Sequence, residues 1–439
     1  LKPAPCQRSA MPPAADSPCG KSARASALRK LYLVWMLHMP ALTALLDAKM
    51  AVYLKHYKGD TAAYASANSR AMLLMGSSGI VLTPIFSAVA DSFGRKPLML
   101  LCLCWSLGLR LAEAVRPTAR VMFLTSSLAS VSSAMAQGMM TSIADLFPGD
   151  AEGASGAMTL LLSGREFGAV VGPMLGTALA ARSIRLPFAC SALLNAVEIP
   201  VLCLVPETLP GARPRRMPVG SLLRAAKPLS FLRLVRSGPE LATLAVAHFC
   251  QALTEPLVVG AFAALVHTET LGWGAVQRGR FASLAAAAAV PGYALASRAL
   301  QLLGSAGALA LSAGAAVAEQ LLSASWVARP WQQLALLPMA LLQGPGQAGL
   351  SALLLDAGAS AGLGQAELRG CMHGAVQAAM LLAYPLWARW YALCLRAGRP
   401  RAFFAGVAAL KALQLLLAAL AARLARKEPG AAARPPEGR

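Results

Sequence analysis

Charge is scarce in this chain of 439 residues: 13% are charged and only 19 are acidic, against roughly 25% charged in an ordinary soluble domain. So few charges cannot cover a water-facing surface, which argues against a soluble enzyme and against a disordered tail. Motifs that carry chemistry are missing too. No G-x-x-x-x-G-K-[ST] run occurs, which weighs against an ATP-driven pump, and neither H-E-x-x-H nor G-x-S-x-G is present. The nine cysteines form no C-x-x-C pair and no Cys/His spacing, so neither a metal site nor a disulfide framework is indicated. Most of them lie in apolar runs as small packing residues. The five histidines (His38, His56, His248, His267, His373) are dispersed, unlike the clustered groups of a membrane-embedded enzyme. No cofactor and no enzyme activity are expected.

What is abundant is apolar: 57% of residues are hydrophobic and the mean hydropathy is +0.56. Lys and Arg number 40, giving a net charge of +21. In a soluble protein that excess would suggest nucleic acid. Here basic loops flanking membrane helices account for it, and no nucleic-acid partner is expected. Apolar stretches long enough to span a bilayer fall at 31–52, 70–90, 97–115, 121–144, 156–181, 187–205, 240–266, 281–301, 305–326, 332–355, 370–393 and 402–422. The longest interior polar segment, Pro206 to Gly238, divides these twelve into two sets of six. The expected organisation is an N-tail (1–29), a first six-helix bundle (30–205), a basic linker (206–238), a second six-helix bundle (239–423) and a C-tail (424–439).

Twelve spans place both ends on one side of the membrane. Of the basic residues, twenty-two fall on that side, twelve on the other and six within or at the edge of spans. By the positive-inside rule both tails and the linker are expected in the cytosol of a multi-pass membrane protein. The linker holds seven basic residues against Glu207. From Ser221 to Val235 they mix with leucines and Phe231, as in a helix lying on an anionic inner leaflet. The polar N-tail reads as a short cytosolic tail, with a transit-peptide remnant as the alternative.

Ser87 to Pro97 (SAVADSFGRKP) is the most informative stretch. It places Asp91 at the end of one helix, Gly94 in a very tight turn that needs positive φ, and Arg95 and Lys96 at the start of the next helix. A hairpin this short holds the carboxylate beside the cations and lets it approach a helix N-terminus. Such contacts can lock one end of a bundle and must break when that end opens. An ordinary charged loop is the plainer reading. The pattern resembles the loop between helices two and three of the major facilitator superfamily, G-x-x-x-D-x-x-G-R-K. Ser87 stands where the family has its first Gly, and Ser92 where a basic residue is usual. On the fifth span Gly168, Gly172, Pro173 and Gly176 resemble the Gly-Pro motif of the family's antiporter branches, although close helix packing would use the same residues. Val205 to Pro210 (VPETLP) is similar to the end of the first half in tetracycline-resistance-like members, including the hippocampus abundant transcript group. After span eight the equivalent loop (Arg298 to Gly304) lacks the Asp.

A charge at membrane depth usually faces a cavity or a partner. The resemblance implies that spans one, two, four, five, seven, eight, ten and eleven line a central cavity, braced by three, six, nine and twelve. On that basis Asp47, Arg165, Glu166 and Glu255 are the candidates for proton or solute binding, with Gln137, Gln251 and Gln343 adding hydrogen bonds. His38 and His248 are candidates to titrate near neutral pH. Arg110 and Glu113, three residues apart, are expected to neutralise each other. Arg389 is expected to snorkel, and Glu198, Glu319 and Lys411 to be scaffold or lipid-interface residues. The expected fold is all-α, with twelve transmembrane helices in two bundles related by a pseudo-two-fold axis. The expected function is proton-coupled transport of a small organic solute by a monomer. A facilitative uniporter, or a receptor or scaffold of this fold without transport, is the alternative.

Overall fold

The computed structural model describes residues 18–147, 151–209, 231–363 and 365–427. Among these residues every regular element is helical. Span one comprises α1 (Pro18–Thr43) and α2 (Leu46–His56), span two α3 (Thr61–Phe93), and span three α4 (Arg95–Val115). Span four joins α5 (Ala119–Ser127) to α6 (Ser130–Leu146); α7 (Ala151–Arg182) and α8 (Leu186–Cys203) are spans five and six. A short α9 (Leu232–Arg236) precedes the second bundle. Span seven is α10 (Pro239–Leu253) followed by α11 (Pro256–Leu271), and span eight is α12 (Ala275–Ala294) running into the start of α13 (Ala296–Ser325). Gly304, with φ +68, breaks α13, and the remainder is span nine. Span ten is α14 (Pro330–Ala335) with α15 (Leu337–Ser360), span eleven α16 (Gln365–Arg396), and span twelve α17 (Ala402–Lys427).

Eight of the twelve are long and apolar enough to cross a membrane by length and composition. Spans four, five, eight and ten are the others. Serines and a turn dilute span four, the Arg165–Glu166 pair and glycines span five, Arg278 and Arg280 span eight, and the helix break with its glycines span ten. These interruptions are tolerated where neighbouring helices cover the backbone. Leucines such as Leu33, Leu101, Leu193, Leu302 and Leu416 stay exposed on the outside, a surface that suits lipid.

The apolar core is divided unevenly. Near the Gly94 turn the first bundle packs around Leu31, Met99, Met135, Met139 and Ile143, and the second packs separately around Leu244, Leu309, Leu350 and Leu354. At the opposite end one cluster draws on both bundles, with Leu45, Tyr53, Tyr64 and Phe188 meeting Phe262, Trp387, Tyr391 and Phe403. The bundles meet chiefly through α7 against α12 and α3 against α16. They are therefore fused at the end away from Gly94.

Helix α1 begins inside the expected N-tail. Of the helix expected over Ser221–Val235, residues 221–230 lie outside the described residues. The remainder falls on Leu232–Arg236, whose Leu234 is buried against α10.

Candidate functional site

Gly94 links α3 to α4 with φ +110 and ψ 158, and a Cβ at that position would collide with the carboxylate of Glu207. That carboxylate accepts hydrogen bonds from the backbone N–H of Arg95 at 2.9 Å and of Lys96 at 3.1 Å. Glu207 thus supplies negative charge at the positive N-terminus of α4. Arg95 donates through Nη1 to Asp91 and through Nε to Asp145 at 3.1 Å. Lys96 Nζ donates to the carbonyl of Cys203 at 2.6 Å. The structure brings Asp91, Gly94, Arg95 and Lys96 together and adds Asp145 and Glu207, which local spacing does not connect to them. The available signal is the VPETLP run, whose Glu is the one acid in a basic segment. Gly304 repeats the positive φ of Gly94 at the equivalent turn of the second half.

The second cluster lies between the bundles. Arg165 and Glu166 stand on α7, and Glu255 stands at the break of span seven, where Pro256 takes the first position of α11. Arg165 donates from Nη2 to Glu255 Oε1 at 2.9 Å, and its Nε lies 3.3 Å from Glu166 Oε1. The Arg165, Glu166 and Glu255 side chains are 20%, 11% and 24% exposed, so water screens them only in part. Tyr293 on α12 lies within electrostatic reach of all three. One cation therefore faces two carboxylates at membrane depth.

Asp47, expected in the same cavity, lies elsewhere. It meets Arg278 of the second bundle, with Arg278 Nε 3.2 Å from Asp47 Oδ1, at the end where the cores fuse. Arg278 is held there by Thr268 Oγ1 at 3.0 Å and the Trp273 carbonyl at 2.9 Å. Beside it Thr61 donates to Glu269 at 2.7 Å, and the Tyr391 hydroxyl donates to Thr61 at 3.0 Å. All of these close one end of the gap between bundles.

The remaining candidates divide. Gln137 donates to Ser87, and Gln343 donates to Glu319. Gln251 Oε1 is buried with no hydrogen-bond partner among the described residues. Gly168, Gly172 and Gly176 face Met39, Thr43 and Ala44 of span one so closely that a Cβ at any of them would collide, and Thr43 Oγ1 donates to the Gly168 carbonyl at 2.8 Å. Arg110 and Glu113 do pair, at 2.9 Å, but they are joined by Lys49 Nζ, 2.7 Å from the same carboxylate. Glu198 is fully buried against His38 Nδ1 at 2.9 Å, away from lipid. Glu319 and Lys411, expected as scaffold or lipid-interface residues, line a cavity within the second bundle. Sequence position alone does not reveal that cavity, because its walls come from five different spans.

Comparison with known proteins agrees with this architecture. Over 174 residues the chain is 31% identical to the class C tetracycline resistance protein of Escherichia coli, covering 39% of this chain and 41% of that protein. The match thus spans less than half the length of that curated relative. Among solved structures, the human organic anion transporter MFSD10 (TETRAN) is similar, with a TM-score of 0.65 and 20% identity over 93% of this chain and all (100%) of that one. The peptide transporter POT has a TM-score of 0.68 at 16% identity, covering 93% and 99% of the two chains. The nucleoside transporter NupG has a TM-score of 0.65 at 13% identity, covering 90% and 99%. The model of the Major Facilitator Superfamily matches residues 31–387. With two six-helix bundles and a match across most of its length, this chain is a multi-pass membrane protein of the transporter class rather than an enzyme, and it belongs to the Major Facilitator Superfamily.

Proposed function

We propose that this protein moves a small organic solute across the membrane by alternating access, coupled to protons as an antiporter or symporter. The observation that carries this reading is the Arg165, Glu166 and Glu255 cluster, which holds one cation against two carboxylates across the gap between bundles. The unmatched negative charge suits a proton or a cationic part of the solute, either of which would weaken the Arg165–Glu255 bond. Weakening a bond that joins the bundles favours their rocking apart. The break at Thr254 and Glu255 gives span seven a place to bend. Relatives described as organic anion, peptide and nucleoside transporters support an organic solute as cargo.

In this reading both tails and the basic linker face the cytosol, the linker lies on an anionic inner leaflet, and the working unit is a monomer. The Gly94 turn is then at the cytosolic end and the Asp47–Arg278 contact at the outer end. The test is uptake from a panel of organic solutes into vesicles at two external pH values, with wild type and Glu255→Gln. A pH-driven flux that becomes insensitive to pH in Glu255→Gln supports the mechanism. Unchanged rate and pH dependence in Glu255→Gln removes that residue from it. Flux indifferent to any proton gradient in the wild type identifies a uniporter, and no flux for any solute favours the receptor or scaffold reading.

A further inference from the structure

A cavity of about 220 Å³ lies inside the second bundle, walled by spans seven, eight, nine, ten and twelve. Its outer part is lined by His267, Ser323 and Gln333, near the ends of α11, α13 and α14 that sit beside the fused cores. Its inner part reaches Glu319, Gln343 and Lys411. Lys411 is seven residues further along α17 than Phe404 of the outer wall, about 10 Å at the helical rise. The cavity therefore extends from beside the fused cores toward the middle of the second bundle.

The polar atoms on its walls do not satisfy one another. His267 Nε2, Gln320 Oε1 and Gln333 Oε1 are buried and find no hydrogen-bond partner among the described residues. His267 and Gln333 are only 5% and 4% exposed. Most buried polar atoms in folded proteins are partnered, and a cavity with walls this polar favours polar molecules over empty space. Amide oxygens and the Glu319 carboxylate call for donors, whereas the Lys411 ammonium calls for acceptors. Water provides both, and the volume has room for on the order of seven molecules at ~30 Å³ each.

We infer that this cavity is a hydrated inlet through which a proton reaches Glu319 from the closed end while the Asp47–Arg278 contact bars the route between the bundles. Gln343 Nε2 occupies Glu319 Oε2, leaving Oε1 to take the proton: a hydronium gives up H⁺ and becomes water, and the carboxylate becomes a neutral carboxyl. Lys411 lies within electrostatic reach of both Glu319 and Glu255. When Glu319 is neutralised, Lys411 acts more strongly on Glu255 and competes with Arg165 for it. The groups around Glu319 are Lys411 from α17, Gln343 from α15 and Gln320 on its own helix, while α12 adds the apolar Phe281 and Ala285 to the wall. Around Lys411, span seven contributes Glu255, Cys250 and, further out, His267. The inlet rests on the transport reading for its use, and its existence is separately measurable.

The test is infrared difference spectroscopy on the purified full chain in lipid vesicles, lowering the pH and then exchanging H₂O for D₂O. The expected result is a protonated-carboxyl component that is lost in Glu319→Gln, over and above any signal from Glu166 and Glu255, and that exchanges readily in the wild type. Filling the cavity with Ala316→Phe or, should that variant fail to fold, Ser323→Leu should keep the band and slow its exchange by about tenfold or more. Glu255→Gln should shift the pH at which the band appears, and adding Lys411→Gln should abolish that shift. A protonated-carboxyl signal identical in wild type and Glu319→Gln, exchange of the Glu319 component unaffected by the plugging variants, or recovery of a bound small zwitterion from the cavity overturns the inlet. Solute flux that ignores proton gradients while the Glu319 band behaves as expected overturns the transport reading and leaves the inlet standing. Proton-driven flux with no Glu319 band overturns the inlet alone.

Discussion

Arg165 of the first bundle and Glu255 of the second meet at 2.9 Å, and Glu166 competes for the same guanidinium at 3.3 Å. The arrangement is asymmetric: removing either carboxylate leaves a balanced pair, whereas removing the cation leaves two like charges facing each other. Arg165→Gln should therefore unfold at a lower temperature than Glu255→Gln. Protonating one carboxylate relieves the repulsion, so the melting temperature of Arg165→Gln should rise as pH is lowered. Thermal unfolding in detergent across a pH series measures both. A pH response equal to that of the wild type would show that the two carboxylates do not interact.

The Gly94 turn makes a separate prediction. Gly94→Ala has to place a methyl group where the Glu207 carboxylate sits and to hold a positive φ, a strain of about 1 to 3 kcal/mol. Glu207→Gln keeps one acceptor oxygen but turns the other, facing the Arg95 or the Lys96 N–H, into an amide donor, and it loses the charge at the helix end, worth about 0.3 to 1 kcal/mol; Gly94→Ala displaces the same carboxylate and adds the strain. Melting temperatures should rank wild type above Glu207→Gln above Gly94→Ala. The reverse order of the two variants would place the importance of the turn in charge rather than in space.

These two clusters show what was legible in the sequence. The twelve spans, their division at the linker and the Asp91 to Lys96 turn follow from local hydropathy and spacing, and the family model and solved relatives agree with the all-helical membrane fold. Arg165, Glu166 and Glu255 stood out because charges at membrane depth are rare. Partners did not stand out. Glu207 reaches Arg95 across 112 residues, and Asp47 finds Arg278 across 231. Such pairs depend on how helices cross, which no local period encodes. Glu319 and Lys411 were misplaced for the same reason: a span that braces the central cavity can still face a second cavity inside its own bundle.

Glu113 holds the first bundle's buried charges together. It is fully buried, with Lys49 at 2.7 Å and Arg110 at 2.9 Å on its two oxygens. Glu113→Gln strands two cations with no counter-charge in contact and should cost about 3 to 5 kcal/mol. Arg110→Gln leaves the Lys49–Glu113 pair intact and should cost clearly less. Denaturant or thermal unfolding of the two variants gives the comparison, and equal losses would show that Lys49 contributes nothing to the cluster.

The Asp47–Arg278 contact joins the two bundles at the end where their cores fuse. Both side chains are shielded, 13% and 6% exposed, and they belong to different bundles. In the proposed alternating-access cycle the bond is made only while this end is shut, so it would bias the equilibrium between states by its full worth. Asp47→Asn or Arg278→Gln should weaken that bias, and a loss of about 2.8 kcal/mol changes the ratio of states about a hundredfold. Spin labels at Lys55→Cys and Arg329→Cys, both exposed at this end on opposite bundles, report the separation, with Cys6 and Cys19 of the N-terminal segment and the exposed Cys104 and Cys203 replaced beforehand. Each single variant should add a longer distance to the distribution. The exchange Asp47→Arg with Arg278→Asp should restore part of the short one, because the charges still attract although Thr268 and the Trp273 carbonyl lose their guanidinium. Distances unchanged by either single variant would assign the closure to the aromatic cluster around Tyr391 and Phe262 instead of to the ion pair.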